Sequence, residues 1–355
     1  MNGDEFGPPA PRGGEDSGGG QGLSPAEFFS SLPGGGLPCL LGALVSVFLM
    51  QSGLLSIFFM APLGFLGFSF GRRTAWTGAL LAALLNTLCT LGLSLFLGRS
   101  LARFLPDLGY IFLMAGAFTW LAAPPPAGIF RIRAAYRLIL GALAGALAGF
   151  LLGNAEFSEM MRAQAELLSS MVTASAGADA VRRSLLEQEL SPERILQVFN
   201  LVQVRGGALG AYMLILFINR QFSLGLTALF RRGQGSREGS LMSFHVPAGL
   251  IWVLSLSLGG ILFFRILGLS LPETAAWNCF ILCVLMYLAQ GLGIVRFAVS
   301  RRPAGRLLLN IGIILVVFSP GINVVALGLL LLLGIAEHWA PLRVVRDRPP
   351  STPAA

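Results

Sequence analysis

The chain has 355 residues, of which 55% are hydrophobic and only 12% are charged, and its mean hydropathy is +0.75. Soluble domains carry roughly a quarter charged residues, so this composition excludes an ordinary soluble enzyme and indicates a polytopic membrane protein. The net charge of +8 comes from arginines placed in short groups between apolar runs, as membrane topology requires. We therefore expect no nucleic-acid partner.

The N-terminal segment, 1–36, is rich in Gly, Pro, Asp and Glu, which predicts a disordered tail. Within it, Ser24-Pro25-Ala26-Glu27 has the capping pattern of a helix start and predicts a short interfacial helix over 25–32. The tail is too acidic for a signal peptide, so the first apolar run is expected to remain in the chain. A second disordered tail is predicted over 346–355.

The first apolar run, 37–70, is too long for one crossing of about 20 residues and short for two. Gln51-Ser52-Gly53 lies at its middle and predicts a break into two short segments. The last run, 307–338, presents the same problem, and Ser319-Pro320-Gly321 predicts a break there, because proline removes a helical hydrogen bond. Whether each broken pair crosses the membrane once or twice stays open.

Further apolar runs lie between the two broken pairs. They cover 75–98, 108–123, 135–153, 199–221, 247–269 and 276–298. Together, the runs predict an all-α bundle of about 8 to 10 membrane segments over 37–345. With ten membrane segments, most of the arginine-rich loops fall on the same side of the membrane. The positive-inside rule then places both termini in the cytoplasm.

The sizeable polar insert, 154–197, falls on the opposite, extracytoplasmic side. Asn154 can cap a helix whose apolar residues follow helical spacing, which predicts an amphipathic helix on the outer membrane surface. Ser191-Pro192 predicts the start of another helix that runs directly into the membrane. The insert is too small for an enzyme domain.

Four glycines recur every fourth residue and therefore share one helix face. They are Gly141, Gly145, Gly149 and Gly153. Such faces permit close helix contact. Gly206 and Gly210 in the next run offer a matching face, so we favour an intrachain contact between the two helices. Docking of a partner protein is the alternative.

Polar side chains at membrane depth are the candidate ligand contacts, because an unpaired polar group in hydrocarbon is costly. They are Asn86, Arg205, Asn278, Gln290 and Asn310. For each residue the alternative is a hydrogen bond that only fixes helix packing. The sequence has no metal-binding or nucleotide-binding motif, so we expect no metal, cofactor or catalytic site. Glu337 and His338 can be interpreted as a proton shuttle, but anchors at the membrane surface beside Trp339 are the favoured interpretation.

Four stretches occur in a characteristic order. They are the helical insert before a long helix, Phe244-His245-Val246-Pro247 with Trp252, Tyr287-Leu288-Ala289-Gln290-Gly291-Leu292, and Leu333-Gly334-Ile335-Ala336-Glu337 before Arg343. In this order the chain resembles the YybS-like family of bacterial membrane proteins, over roughly residues 40 to 345. The family has an aspartate where this chain has Glu337.

The YybS-like family is similar in organisation to the S components of energy-coupling-factor transporters, which have fewer segments. This resemblance implies a non-enzymatic protein that binds or transports a small molecule, with an energising ATPase module as partner. The alternative is a scaffold or regulator of cell-envelope processes that binds an envelope protein. A membrane-embedded transferase ranks third, because acid–base pairs at membrane depth are missing.

Overall fold

The computed structural model describes most of the apolar part of the chain. The described residues are 36–53, 55–96, 104–122, 134–152, 154–175, 191–230, 241–300, 312 and 322–343. Every regular element among them is helical. Gly36, the last residue of the predicted N-terminal tail, is the first residue of α1. The following predicted features lie outside the described residues: the rest of that tail with its interfacial helix over 25–32, the tail over 346–355, Gly153, Asn310 and the break at 319–321.

Eleven α-helices are found in the described residues. They are α1 (Gly36–Gln51), α2 (Ala61–Phe70), α3 (Arg72–Phe96), α4 (Phe104–Ala122), α5 (Ala134–Leu152), α6 (Asn154–Ser175), α7 (Pro192–Val202), α8 (Ala208–Phe230), α9 (Leu250–Ile266), α10 (Ser270–Ser300) and α11 (Ile322–Ala336).

Three stretches of helix are long and apolar enough to cross a membrane. They are Arg72–Phe96, Pro192–Phe230 and Ser270–Val299, and shorter apolar helices accompany them. Large apolar side chains also point outward from the helices. On α9, for example, Leu256 is 74% exposed and Ile266 is 84% exposed. Extended apolar surface of this kind is rare on soluble monomers and suits contact with lipid.

The first apolar run breaks at Gln51-Ser52-Gly53, as the sequence predicts. Helix α1 ends at Gln51, and Gly53 has a φ of 66°, a left-handed conformation that glycine adopts without steric cost. A short 3₁₀ turn, Ser56–Phe58, then leads into α2. Gly42 packs against Leu66, so α1 and α2 form an antiparallel hairpin.

Side chains from other helices bind the carbonyl groups around this turn. Ser46 Oγ donates to Phe59 O at 2.6 Å. From α8, Asn219 Nδ2 donates to Ile57 O at 2.6 Å, and Ser223 Oγ donates to Ala61 O at 2.9 Å. These bonds matter because a buried carbonyl without a partner costs free energy. Helix α8 is therefore tied to a turn that lies far away in the sequence.

Helices α4, α5, α8 and α10, together with the turn before α2, surround the main apolar core. Its fully buried members include Met60, Phe118, Leu138, Leu216 and Met286. A second cluster joins α1, α2, α3 and α4 through Ala43, Leu63, Ala79 and Ala115. Helix α4 contributes to both cores, through Met114 and Ala115.

The predicted helix start at Ser191-Pro192 is confirmed, since Ser191 Oγ accepts a hydrogen bond from Arg194 N at 3.4 Å. Helix α7 continues into α8 through a π-helical turn, Gln203–Gly207. Gly206 has a φ of 110°, so the turn kinks the helix. The insert thus reaches the bundle along a nearly continuous helix, against which α6 packs.

Helices α10 and α11 are in close backbone contact. A Cβ atom on Gly291 would meet Leu330 O, and one on Gly334 would meet Tyr287 O. Both clashes are with backbone atoms, which cannot move aside as a flexible side chain can. These two glycines therefore allow the two helix backbones to touch.

We expect Gly291→Ala to lower the melting temperature of the purified protein. The added methyl group must push two helices apart, and overpacking of this kind costs about 1 to 3 kcal/mol. Gly225→Ala is the matched control, because nothing lies within 4 Å of its Cβ position. Alanine at that helical position is expected to be neutral or stabilising. Equal melting temperatures for the two variants would contradict the close contact.

Candidate functional site

Gln290 lies on α10, where it joins three parts of the chain. The residue is only 4% exposed. Its Nε2 donates to Gly334 O of α11 at 2.8 Å, and its Oε1 accepts from Val246 N at 2.5 Å. Each polar atom of the Gln290 amide therefore bonds to a backbone group, as expected of a hydrogen bond that fixes helix packing.

A buried ion pair lies beside Gln290. The guanidinium of Arg343 donates from Nε to Glu337 Oε1 at 2.7 Å and from NH2 to Glu337 Oε2 at 2.6 Å. Both side chains are nearly inaccessible, at 6% and 4% exposure. A bidentate pair of this kind combines charge attraction with a fixed geometry. Glu337 is therefore buried, and the favoured interpretation of it as an anchor at the membrane surface is wrong.

Arg343 also binds the irregular segment before α9. It donates from NH1 to Met242 O at 2.5 Å and from NH2 to Phe244 O at 2.9 Å. Segment 244–247 lacks regular helical bonds, so its carbonyls need partners from outside. We call Arg343, Glu337, Gln290 and segment 244–247 the arginine staple, since together they fasten α10, α11 and the start of α9.

His245 lies at the exposed edge of the arginine staple. Its Nε2 lies 3.9 Å from Glu337 Oε1, and its side chain is 61% exposed. His338, by contrast, is exposed and stacks edge-on against Trp339, with ring centroids 5.5 Å apart. Of the two neighbours Glu337 and His338, only His338 has the surroundings of a surface anchor.

Asn278 and Arg205 each make a contact at the kink between α7 and α8. Asn278 Nδ2 donates to Val204 O at 2.8 Å, a carbonyl in the π-helical turn. Arg205 NH2 lies 3.1 Å from Glu273 Oε1, and the Glu273 side chain is 9% exposed. Both contacts run from the turn to the first part of α10. Their arrangement stabilises the kinked conformation.

Asn86 forms a third, separate contact. It is 5% exposed, and its Oδ1 accepts from Gln51 Nε2 at 2.8 Å, at the end of α1. Asn278 and Gln290 are twelve positions apart on α10, or about 18 Å at helical rise. The four described candidates thus fall into three places, and each bonds to protein.

The glycine row of α5 packs inside the chain, but against side chains. Beside Gly141 lies Leu216, and beside Gly145 lie Met114 and Tyr212. Gly149 faces the ring and hydroxyl of Tyr212. Helix α8 therefore contacts the row as predicted. The expected glycine-to-glycine groove is not formed, because Gly206 and Gly210 face Ile281 of α10 instead.

The candidate polar side chains described above take part in hydrogen bonds and ion pairs within the protein. Within the described residues, no three His, Cys, Asp or Glu side chains are grouped closely enough to hold a metal ion. The arginine staple was not predicted. A signal was nevertheless present, because a polar residue precedes a glycine directly in Gln290-Gly291 and follows one by three positions in Gly334–Glu337.

No family model, no curated protein and no solved structure matches this chain. The resemblance to the YybS-like family therefore stays a prediction from sequence motifs. Three of the four stretches that carry it are brought together in the arginine staple, around Phe244, Gln290 and Glu337. Their order along the chain thus reflects one structural unit.

We expect Glu337→Ala to destabilise the protein strongly. Removing one partner leaves Arg343 buried and uncompensated, and such changes cost about 3 to 5 kcal/mol. The double variant Glu337→Ala, Arg343→Ala should be less destabilised than the sum of the two single variants. Thermal or denaturant unfolding measures both effects.

The matched control for this experiment is Glu166→Ala. Glu166 pairs with Arg162 at 3.9 Å, and both side chains are more than 60% exposed. An exposed pair contributes about 0 to 1 kcal/mol. Similar losses for Glu337→Ala and Glu166→Ala would contradict a structural role for the arginine staple.

Proposed function

We propose that this chain is a polytopic, non-enzymatic membrane protein that binds or transports a small molecule, in the manner of an S component. An energising ATPase module is its proposed partner, and the inner membrane of a bacterium is its proposed location. The proposal places both termini in the cytoplasm and the insert 154–197 outside.

One observation carries this proposal: an apolar run that is broken inside the bundle. The turn between α1 and α2 interrupts such a run and is held by Asn219 and Ser223 of α8. Irregular backbone at membrane depth is tolerated where it is buried in protein or where it lines a water-filled cavity. Interrupted segments of this kind are characteristic of secondary transporters, where they lie near the substrate site. A second broken run, 307–338, is predicted near the other end of the chain.

A different observation favours the alternative function, a membrane scaffold or regulator of envelope processes. The described ligand candidates bond to other parts of the protein, as shown by Gln290 with Gly334 and Asn278 with Val204. Polar groups used in this way stabilise the bundle and leave ligand contacts to other residues. A scaffold needs a rigid bundle of this type and no internal ligand.

We expect a small molecule to co-purify with the full-length protein. The experiment extracts protein purified in mild detergent and identifies non-lipid molecules by mass spectrometry. Membranes that lack the protein, carried through the same purification, provide the control. A stoichiometric molecule supports binding. Its absence, together with the same cross-linked envelope protein in repeated preparations, would reject binding and favour the scaffold.

We expect a single cysteine at Ser175→Cys, in a background without the four native cysteines, to react with an impermeant maleimide from outside the cell. Position 175 ends α6 in the proposed external insert. A cysteine placed at Arg73 is the control and should react only after the inner membrane is opened. Labelling of position 175 only from the cytoplasmic side would overturn the proposed topology.

A further inference from the structure

Helices α7 and α8 together are longer than a membrane is thick. The stretch Pro192–Phe230 has 39 residues, or about 58 Å of helix, whereas the hydrocarbon core of a bilayer is about 30 Å thick. Helix α8 alone has 23 residues, which are enough to cross that core. Near its start α7 carries the charged residues Glu193 and Arg194, so α7 is the part that leaves the membrane. The π-helical turn Gln203–Gly207 marks the boundary between the two parts.

The backbone of this turn departs from helical geometry at two consecutive residues. Arg205 has a φ of −80° and a ψ of 28°, and Gly206 has a φ of 110° and a ψ of −4°. The second conformation is one that glycine adopts without steric cost. The bend between α7 and α8 is therefore confined to two residues. Hinges have this form, because a few residues between rigid elements absorb the change in φ and ψ.

Beyond the turn, α6 and α7 form a unit that we call the insert hairpin. The two helices pack against each other, and Ala165 of α6 and Ile195 of α7 are both buried. The apolar side chains of Leu167 and Met171 on α6 are, by contrast, 62% and 63% exposed, so they are not packed into the bundle. A rotation at the turn would therefore move α6 together with α7.

The polar contacts that hold the bend come from one short part of α10. Arg205 NH2 lies 3.1 Å from Glu273 Oε1, and Trp277 Nε1 donates to the same oxygen at 3.4 Å. One turn further along α10, Asn278 Nδ2 donates to Val204 O at 2.8 Å. The conformation of the turn and the position of the first part of α10 therefore depend on each other, since coupling between two sites is reciprocal.

The hydrogen bonds of the turn have two complete arrangements. In the structure, Ala208 N donates to Gln203 O, five residues earlier, and Val204 O accepts from Asn278. In a regular α-helix, Ala208 N would instead donate to Val204 O, and Gly207 N would donate to Gln203 O. Asn278 thus binds the carbonyl that a straight helix would bond to Ala208. Neither arrangement leaves Val204 O without a partner, so both satisfy the backbone at this point.

We propose that the π-helical turn is a hinge about which the insert hairpin moves, and that Arg205, Glu273 and Asn278 form a latch that holds the bent position. When the latch is closed, the contacts to α10 offset the loss of regular helical bonds. When it opens, the turn returns to an α-helix and the hairpin takes a second position. Helix α10 also carries Gln290, so it links the hairpin to the arginine staple. The proposal does not depend on small-molecule binding.

Distance measurements between two spin labels, by double electron–electron resonance, test the hinge. One label is attached at Leu167→Cys on α6 and the other at Leu256→Cys on α9, both exposed positions. The full-length protein without its four native cysteines is reconstituted in nanodiscs. We expect one dominant distance in this protein. In Arg205→Gln and in Asn278→Leu, the share of a second distance should rise by about fivefold to tenfold, because each variant removes one hydrogen bond or ion pair of the latch.

Two further variants complete the experiment. Gly206→Ala should shift the distances in the same direction, because a side chain is strained at a φ of 110° and its Cβ would meet Ile281. Arg162→Gln is the matched control, since Arg162 pairs with Glu166 on the exposed surface of α6 and lies away from the turn. Its distance distribution should equal that of the parent protein.

Melting temperatures measured for the same samples separate a hinge from a rigid kink. The Arg205 side chain is 31% exposed, so we expect Arg205→Gln to fold. Unchanged distances in Arg205→Gln and Asn278→Leu would overturn the proposal, even if both variants melt at a lower temperature, because the contacts would then only stabilise a fixed bend. An equal shift of the distances in the control variant would also overturn it.

Discussion

The helix breaks in the described part of the chain expose backbone groups that must find a partner within the protein. Water is scarce inside a membrane bundle, so a carbonyl freed by a turn is expensive unless a side chain reaches it. At the turn after α1, the carbonyl groups accept hydrogen bonds from Ser46, Asn219 and Ser223. At the kink before α8, Asn278 donates a hydrogen bond to a backbone carbonyl. Gln290 and Arg343 bond to backbone groups of segment 244–247. Many of the described polar side chains therefore bond to backbone groups that a helix break has exposed.

Close packing of helices depends on glycine, and the glycines of this bundle are of two kinds. The row on α5 makes room for Leu216 and Tyr212, which are side chains that can adjust. Gly291 and Gly334 make room for backbone oxygens, which cannot. The second kind lies directly beside the arginine staple, because a side chain such as Gln290 reaches a carbonyl on α11 only if the two helices are close. Close packing and polar bonding therefore depend on each other here.

Local features of the fold could be predicted from the sequence. The break at Gln51–Gly53, the helix start at Ser191 and the contact of the glycine row with α8 follow from turn chemistry, capping and spacing. The partners of the polar residues could not be predicted. Asn219 reaches a carbonyl 162 positions away, and Arg343 reaches one 101 positions away. A sequence pattern gives the depth of a side chain, but it does not give its long-range neighbour.

Arginine shows this difference most clearly, because one residue type occurs in contrasting surroundings. Arg343 and Arg205 each contact a carboxylate, so their charges are balanced within the protein. Arg162 also pairs with a carboxylate, Glu166, but both side chains are exposed on α6. The buried pair of Arg343 with Glu337 fastens the bundle, whereas an exposed pair contributes little to stability.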